Sequence, residues 1–474
     1  MSDHRPDQSA PLPPPPLPPP PPPPLRPPNA VSWPAPPTPP SGVQGPPKAA
    51  PGRGRVIVGV ALAVLVAMIA VGVAAVVSHQ KSTTAVNATT ATTTSAAALS
   101  PSTSHVSGPT GPSGSGAAFP PSTSTAKTDF DRTIDTIIAF DEKVRGLKFK
   151  TRPVVVALSE GDFVARYQAE TDDDYAKHKA DFESATVVMS AVGLLKPGVS
   201  YYETTKAFGS AGVLGFYDPK TKELSVRGNK LTPFVRTVVA HELTHALDDQ
   251  WFGLDRPQYD DAKDEISFGF SALAEGNARR IESAYRASLS AGDQASADRE
   301  EASYGSSFQA NQFTQSFLKL QLAPYSLGEK FVGDLLDFGG QKALDAAFND
   351  PPTTSEEVIN LDKYVAKEGR VNVTPPPSDG ALVDDGVLGQ IVVQYLLESA
   401  ISSAQANQAA AGWSGDWYVA WTANGSSCLR TAIQMDTPKD TSDLKSAFDK
   451  WVGTRPKASV TSTANTVTVT SCTK

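Results

Sequence analysis

Cysteine and histidine are scarce in this chain, and basic residues are outnumbered by acidic ones. Two cysteines among 474 residues exclude a small disulfide-stapled protein. Residues 1–127 hold seven of the 42 Lys and Arg and two of the 50 Asp and Glu, which leaves a net charge of −13 on the remainder. Because nucleic-acid binders need a basic face to displace counterions, nucleic acid is not expected as a partner.

The N-terminal segment lacks the apolar side chains of a core. Its first 50 residues hold 22 of the 41 prolines, and the run PLPPPPLPPPPPPP at residues 11–24 favours polyproline II. Such a helix acts as a stiff spacer or docks into an aromatic-lined groove of a cytoplasmic partner. We therefore predict a disordered cytoplasmic tail over residues 1–55.

One long apolar run follows this tail. Val56–Val77 contains 22 uncharged residues, enough at about 1.5 Å per residue to cross a hydrocarbon layer of about 30 Å. The run is too long and starts too late for a cleaved signal peptide. We predict a single transmembrane helix over residues 56–78.

The charges that flank this run orient it. Three basic residues, Lys48, Arg53 and Arg55, precede the run, and only Lys81 follows it closely. The positive-inside rule then places the N-terminus in the cytoplasm and the rest outside. Residues 79–128, rich in Ser, Thr and Ala, should form a flexible stalk, and residues 129–474 an extracytoplasmic domain.

This domain mixes helical and strand patterns, which predicts an α+β fold. Helical spacing is present in Asp129–Arg145 and from about Tyr175 to Leu195, whereas Pro153–Leu158 is short and β-branched. Val213–Arg227 is typical of two strands around an Asp218-Pro219 turn. The pattern indicates a small mixed or antiparallel sheet, followed by a mainly helical subdomain.

One predicted helix carries two histidines. Thr232 is a good N-cap, Pro233 suits the first helical position, and an apolar stripe follows. On this helix lies HELTH, residues 241–245, the HExxH arrangement. His241 and His245, at i and i+4, can bind one zinc ion, and Glu242 can reach a water that the metal activates.

The third ligand should be a carboxylate, because no histidine follows His245. Glu265 and Glu275 are the candidates, 20 and 30 residues further on. Glu275 is preferred because it lies in a helix-like run, ALAEGNAR, whose Gly276 would permit close approach to the HExxH helix. Glu265, beside an aspartate, remains the alternative.

The two cysteines are best explained as a pair. Cys428 and Cys472 lie in the part predicted to be outside the membrane, where oxidation is possible. A bridge would close a loop of about 45 residues and stabilise the fold by roughly 4 kcal/mol on the chain-entropy estimate.

HELTHALDDQ followed by AEGNA resembles the zincin metallopeptidases of the gluzincin branch, in which a glutamate followed by glycine completes the zinc site. That resemblance implies Glu275, whereas the spacing to Glu265 resembles thermolysin. The chain is also similar to a group of predicted bacterial neutral zinc metallopeptidases, which usually have Asp where this chain has Asn277. The segments that carry this similarity are RGLKFK (145–150), GFYDP (215–219), HELTHALDDQ (241–250), AEGNA (274–278), PYSLGEKFV (324–332), PPTTSEE (351–357) and GWSGDWY (412–418).

The resemblance implies a zincin-like fold and a zinc metalloendopeptidase that acts on peptides or proteins, and the predicted transmembrane helix would anchor it to the membrane. Glu242 would serve as general base and later protonate the leaving amine. Asp249, one turn after His245, is a candidate to orient a liganding imidazole, and Asp248 is less well placed. With no further histidine available, a tyrosine or an arginine should stabilise the oxyanion, and Tyr325 is the preferred candidate.

The resemblance to zincins also implies that one strand of the predicted Val213–Arg227 hairpin borders the cleft and pairs with an extended peptide. The competing function is a catalytically silent module that binds an envelope protein or peptide. The intact motif argues against it, since a binding module has no need for Glu242 beside two histidines.

Overall fold

The computed structural model describes residues 127–260, 262 and 264–474. The predicted cytoplasmic tail, the predicted transmembrane helix and all but the last two residues of the predicted stalk lie outside the described residues. Within the described part, no helix is both long and apolar enough to cross a bilayer. The predicted α+β class is confirmed, with many helices and two separate sheets.

The elements follow one another without a repeat. The helices are α1 (Asp129–Arg145), α2 (Glu160–Lys177), α3 (Lys179–Val192), α4 (Tyr201–Gly212), α5 (Pro233–Phe252), α6 (Pro257–Asp260), α7 (Ile266–Ser288), α8 (Ala291–Ser307), α9 (Gln315–Asn349), α10 (Ser355–Ile359), α11 (Leu361–Ala366), α12 (Gly389–Leu397), α13 (Ser403–Ala410) and α14 (Pro438–Val452), with a 3-10 turn at Ala310–Gln312. The strands are β1 (Val154–Leu158), β2 (Gly215–Asp218), β3 (Glu223–Arg227), β4 (Leu382–Gly386), β5 (Trp413–Ala423), β6 (Ser426–Met435), β7 (Ala458–Ser462) and β8 (Thr466–Cys472).

The first sheet is small and mixed, as predicted, with the order β1-β3-β2. β1 runs parallel to β3, and β2 runs antiparallel to it with Gly215 opposite Val226. The predicted turn is present, because Asp218 accepts hydrogen bonds from the Lys220 N–H and the Thr221 hydroxyl at 2.8 and 2.7 Å. Because β3 is the central strand, β1 and β2 are the two edge strands, and β2 packs against α5.

Helix α5 begins where the predicted N-cap and the following proline place its start. The Thr232 hydroxyl accepts a hydrogen bond from the Val235 N–H at 3.2 Å, and Pro233 occupies the first turn. The helix ends at Gly253, whose φ of +69° suits glycine. Helices α1, α7 and α8 and strands β2 and β3 pack around α5, so it is buried on nearly every face.

Helices α7 and α9 touch through two glycines. A Cβ on Gly276 would lie 2.1 Å from the carbonyl carbon of Gly328, and one on Gly328 would lie 1.9 Å from the Ala272 oxygen. Gly276 thus permits α7 to approach α9 closely. The prediction that Gly276 permits close approach to the HExxH helix is therefore corrected. Because only glycine fits, the spacing of these two helices is fixed beside α5.

The C-terminal part differs from the predicted mainly helical subdomain, because it contains a five-stranded antiparallel sheet of order β4-β5-β6-β8-β7. Buried residues from this sheet and from α3, α7, α9, α12 and α14 form the larger core. A smaller core lies between α1, α5 and the first sheet.

The predicted disulfide is confirmed. Cys428 of β6 lies directly opposite Cys472 of β8, and the two form a bridge across the strands. No free cysteine remains in the described residues, since these two are the only ones in the sequence. The bridge secures the strand that ends the chain.

Candidate metal centre

Two histidines and one carboxylate converge between α5 and α7. His241 Nε2 lies 3.1 Å from Glu275 Oε2, and His245 Nε2 lies 3.5 Å from the same oxygen. All three side chains are buried, and their potential ligand atoms lie within 4.8 Å of one another. The structure thus brings Glu275, the preferred third ligand, to the HExxH pair.

The distances from Glu275 Oε2 to the two imidazole nitrogens fit a tetrahedral metal ion. Bonds of about 2.0–2.1 Å to a tetrahedral zinc ion place neighbouring ligand atoms about 3.3 Å apart, close to the observed 3.1 and 3.5 Å. Neither ring nitrogen of the fully buried His245 makes a well-formed hydrogen bond among the described residues, because Nε2 has only the long contact with Glu275 Oε2 at 3.5 Å and Nδ1 has no partner. A buried nitrogen without a good partner is costly, and a metal ion bound at Nε2 would supply one.

A second carboxylate holds the other side of His241. Glu282 Oε2 lies 3.1 Å from His241 Nδ1, and its other oxygen accepts a hydrogen bond from Arg279 Nη1 at 2.7 Å. Burial lowers the pKa of His241, but the hydrogen bonds with Glu275 and Glu282 outweigh it and raise the pKa to about 10. A metal ion bound at Nε2 would replace a proton there.

The expected general base lies beside these ligands. Glu242 is fully buried; its Oε2 accepts a hydrogen bond from the Tyr217 backbone N–H at 2.9 Å. Its Oε1 has no hydrogen-bond partner among the described residues. Burial raises the pKa of Glu242 to about 8, and the neighbouring Glu275 carboxylate acts in the same direction. A metal cation held by the neighbouring candidate ligands would favour the carboxylate form of Glu242, which is the form that can accept a proton.

Tyr325 also reaches the site. Its ring stacks on the His241 imidazole, with ring centroids 6.0 Å apart and an interplanar angle of 24°. It lies on α9, one turn before Gly328, so the close contact of Gly328 with Gly276 sets its distance from α5. The structure thus places the Tyr325 ring beside a candidate ligand, and its role as an oxyanion donor stays a prediction.

A buried ion pair links the helices around the site. Arg145, at the end of α1, donates from Nε to Asp248 of α5 at 2.6 Å and from Nη1 to Asp345 of α9 at 2.7 Å. The Asn277 amide of α7 donates to the second Asp248 oxygen at 2.6 Å. An aspartate at position 277 would face Asp248 with a like charge, so asparagine suits this position.

Asp249 does not orient an imidazole, contrary to the expectation. Its carboxylate accepts hydrogen bonds from the Tyr217 hydroxyl at 2.6 Å, Lys222 Nζ at 2.7 Å and the Leu254 N–H at 2.8 Å. It therefore ties the β2–β3 hairpin to the end of α5. Glu282 contacts the His241 imidazole instead. No sequence signal distinguishes Glu282, which lies two turns beyond Glu275 in an acidic chain.

The alternative ligand, Glu265, lies in a different buried cluster. Its Oε2 accepts a hydrogen bond from the Ser355 N–H at 3.0 Å, and a Cβ on Gly389 would lie 1.8 Å from its Oε1. Asp416 lies close by and accepts hydrogen bonds from the Leu388 and Gly389 N–H groups. Glu265 therefore connects the start of α7 with α10 and the second sheet, and it is not part of the metal centre.

This cluster should make stability depend on pH. Burial raises the pKa of Glu265 from 4.5 to about 8, so the folded chain holds this proton more tightly than the unfolded chain. Its contribution to the free energy of unfolding is complete below about pH 4.5 and is lost as pH rises towards 8. We expect Glu265→Gln to be more stable than the wild type above pH 8, by on the order of 1 kcal/mol or more.

Denaturant unfolding at pH 6 and pH 9 measures this difference. Glu183→Gln, at an exposed glutamate of α3, is the matched control and should follow the wild type. Parallel pH dependence of Glu265→Gln and the wild type would contradict the prediction.

Comparisons of the chain with protein families, with curated proteins and with solved structures found no match. Functional inference therefore depends on the arrangement of the residues themselves.

Proposed function

We propose that this protein is a membrane-anchored zinc metalloendopeptidase that hydrolyses peptide bonds outside the membrane. The observation that carries the proposal is the convergence of His241 Nε2, His245 Nε2 and Glu275 Oε2 next to a buried glutamate. Two nitrogens and one carboxylate oxygen are a donor set that catalytic zinc sites use. A Zn²⁺ ion held by them would lower the pKa of water towards about 7 and polarise the scissile carbonyl.

The chain's own groups supply proton transfer and orientation. Glu242 Oε1, which has no hydrogen-bond partner among the described residues, would accept the proton of the attacking water. The same carboxylate would then pass the proton to the leaving amine. Glu282, held by Arg279, would keep the His241 ring in the orientation that directs Nε2 towards the metal.

The surrounding elements support a zincin-like arrangement. The HExxH helix α5 packs against a mixed sheet whose edge strand β2 passes next to Glu242, and α7 delivers the third ligand. A strand edge that pairs with no other strand in the described residues can bind an extended peptide through main-chain hydrogen bonds. The proposed substrates are therefore peptides or proteins.

The location is inferred from the sequence together with the disulfide. Cys428 and Cys472 are bridged, which is typical of oxidising compartments outside the cytoplasm. This agrees with a helix over residues 56–78 that leaves the N-terminus inside and the catalytic domain outside. The Pro-rich tail would then be available to a cytoplasmic partner.

Purified full-length protein tests the proposal directly. Its zinc content is measured, and cleavage of a peptide library is followed by mass spectrometry with and without a chelator. We expect one zinc ion per chain and cleavage that stops when zinc is removed. Zinc bound without cleavage of any peptide would instead favour the catalytically silent binding module, and folded protein without zinc affinity would refute the metal centre.

Glu282→Gln should weaken zinc binding by about 10- to 100-fold, because it removes the charge that orients His241 and raises its basicity. Competition with a zinc indicator dye measures the affinity. Glu301→Gln is the control, since Glu301 is also buried and paired with an arginine, Arg286. Equal zinc affinity of both variants would contradict the assigned role.

Tyr325→Phe should lower kcat by about 100-fold with little change in KM, if its hydroxyl donates to the oxyanion. The ring contact with His241 is retained in this variant, so zinc content should not change. Tyr202→Phe, which removes a hydroxyl bonded to Asp172, is the control. An unchanged kcat in Tyr325→Phe would remove this residue from the mechanism.

A further inference from the structure

The edge of β2 that faces away from β3 can be identified from the hydrogen bonds of the strand, although the strand itself is largely buried. The Leu214 and Asp218 carbonyls accept from the Arg227 and Lys222 N–H groups at 2.9 and 2.8 Å, on the side of β3. Backbone groups alternate along an antiparallel strand, so those of Gly215 and Tyr217 face the opposite edge. Within the described residues no strand pairs with that edge.

The Glu242 carboxylate covers one donor of this edge. The Tyr217 N–H donates to Glu242 Oε2 at 2.9 Å, and both groups are buried. The strand comes this close because residue 215 is glycine: a Cβ there would lie 3.0 Å from Val238 Cγ1 and 3.3 Å from Glu242 Cγ. The side chain proposed as the base therefore occupies the place where a substrate carbonyl would pair.

We propose that Glu242 and the main chain of the substrate compete for the Tyr217 N–H, so that only an extended peptide long enough to pair with β2 releases the base. This inference rests on the proposed peptidase function. It names the substrate class as extended polypeptide segments, and not dipeptides or tripeptides.

The exchange replaces one acceptor with another. A peptide carbonyl takes the Tyr217 N–H, and the Glu242 carboxylate loses its contact with the strand. The carboxylate is then free to turn from the attacking water towards the leaving amine, as proton delivery requires. When a short peptide does not reach Tyr217, the Glu242 carboxylate stays bonded to the Tyr217 N–H. A short peptide should therefore have a lower kcat than a long one, as well as a higher KM.

Two substitutions at position 242 separate the competition from catalysis. Both Glu242→Gln and Glu242→Ala remove the proposed base, so bound peptides stay intact. The glutamine oxygen can still accept from the Tyr217 N–H, whereas alanine leaves this donor open. Peptide affinity is measured by fluorescence anisotropy with both variants as full-length protein. The long ligand is the ten-residue library peptide that binds Glu242→Gln most tightly, and the short ligand is a blocked tripeptide.

We expect the ten-residue peptide to bind Glu242→Ala about three- to tenfold more tightly than Glu242→Gln, the value of one neutral hydrogen bond. The tripeptide should bind both variants equally. As a second measurement, hydrogen exchange of the Tyr217 amide should be slow in the wild type and Glu242→Gln, fast in Glu242→Ala, and slow again when that variant binds the long peptide.

Equal affinities of the two variants for the long peptide, no peptide binding to Glu242→Ala, or equal amide exchange in all three proteins would each overturn the inference. Its failure is distinguishable from failure of the proposed function. If the wild type cleaves peptides but the two variants bind the long peptide equally, the proposed peptidase function stands and the competition for the Tyr217 N–H is refuted. If the wild type cleaves no peptide but the two affinities differ, the competition stands and the peptidase function is refuted.

Discussion

Glu242→Gln is expected to cleave peptides about 100- to 10,000-fold more slowly than the wild type while retaining its zinc. Glutamine has nearly the shape of glutamate and keeps an acceptor for the Tyr217 N–H, so the side chain should stay in place. It cannot take a proton from water. The proposed ligands His241, His245 and Glu275 are unchanged, and the loss should therefore appear in kcat with metal content preserved.

His241→Ala is the companion variant, because it removes a ligand and not the base. It should lose zinc and cleavage together, whereas Glu242→Gln loses cleavage alone. Glu301→Gln controls for exchanging a buried carboxylate elsewhere and should cleave at the wild-type rate. Normal turnover by Glu242→Gln would refute the proposed mechanism, whatever its zinc content.

Gly276→Ala should lower the free energy of unfolding by about 3 kcal/mol or more, the upper range for overpacking in a rigid interior. The added methyl group would lie 2.1 Å from the Gly328 carbonyl carbon and 2.2 Å from its oxygen. Both are main-chain atoms, so α7 and α9 must separate. Glu275 precedes this glycine, and zinc affinity should fall together with stability.

Gly333→Ala is the matched control in α9. Nothing lies within 4 Å of a Cβ at position 333, so this change should leave stability equal or raise it by up to about 1 kcal/mol. Urea unfolding of both variants and the wild type measures the difference. If Gly276→Ala unfolds at the same urea concentration as Gly333→Ala, the close contact of the two helices is wrong.

Features set by neighbouring residues could be predicted from the sequence. Thr232 and Pro233 mark the start of α5 because a cap and a fixed φ act within one turn. His241 and His245 lie on the same face of the helix because residues four positions apart do so in any α-helix. The two strands around Asp218 are equally local, and all of these predictions are confirmed.

Features set by distant contacts could not be predicted in the same way. Spacing along the chain left Glu265 and Glu275 both open, and the choice depends on how α7 lies against α5. Glu282, and not Asp249, contacts an imidazole because of how the helices are rotated about their axes. The periodicity of the sequence does not predict that rotation. Tyr325 reaches His241 only because two glycines set the distance between α7 and α9.

The second sheet was missed because its central strand does not alternate. In β5, eight of the first nine residues are buried, so the two-residue period of a half-exposed strand is absent. Residues near Val371 and Gly380 cover the second face, where they contact Gly415 and Trp421. Such a strand is recognisable only when the covering segment is known.

The bridge between Cys428 and Cys472 has a consequence for proteolysis. A protease that cuts the main chain once between these residues, for example in the turn between β7 and β8, does not release the C-terminal fragment, because the sulfur bond and the strand pairing retain it. Such a nicked molecule would migrate as an intact chain in a denaturing gel until a reductant is added. The C-terminal end can thus be cut in a protease-rich environment without being lost.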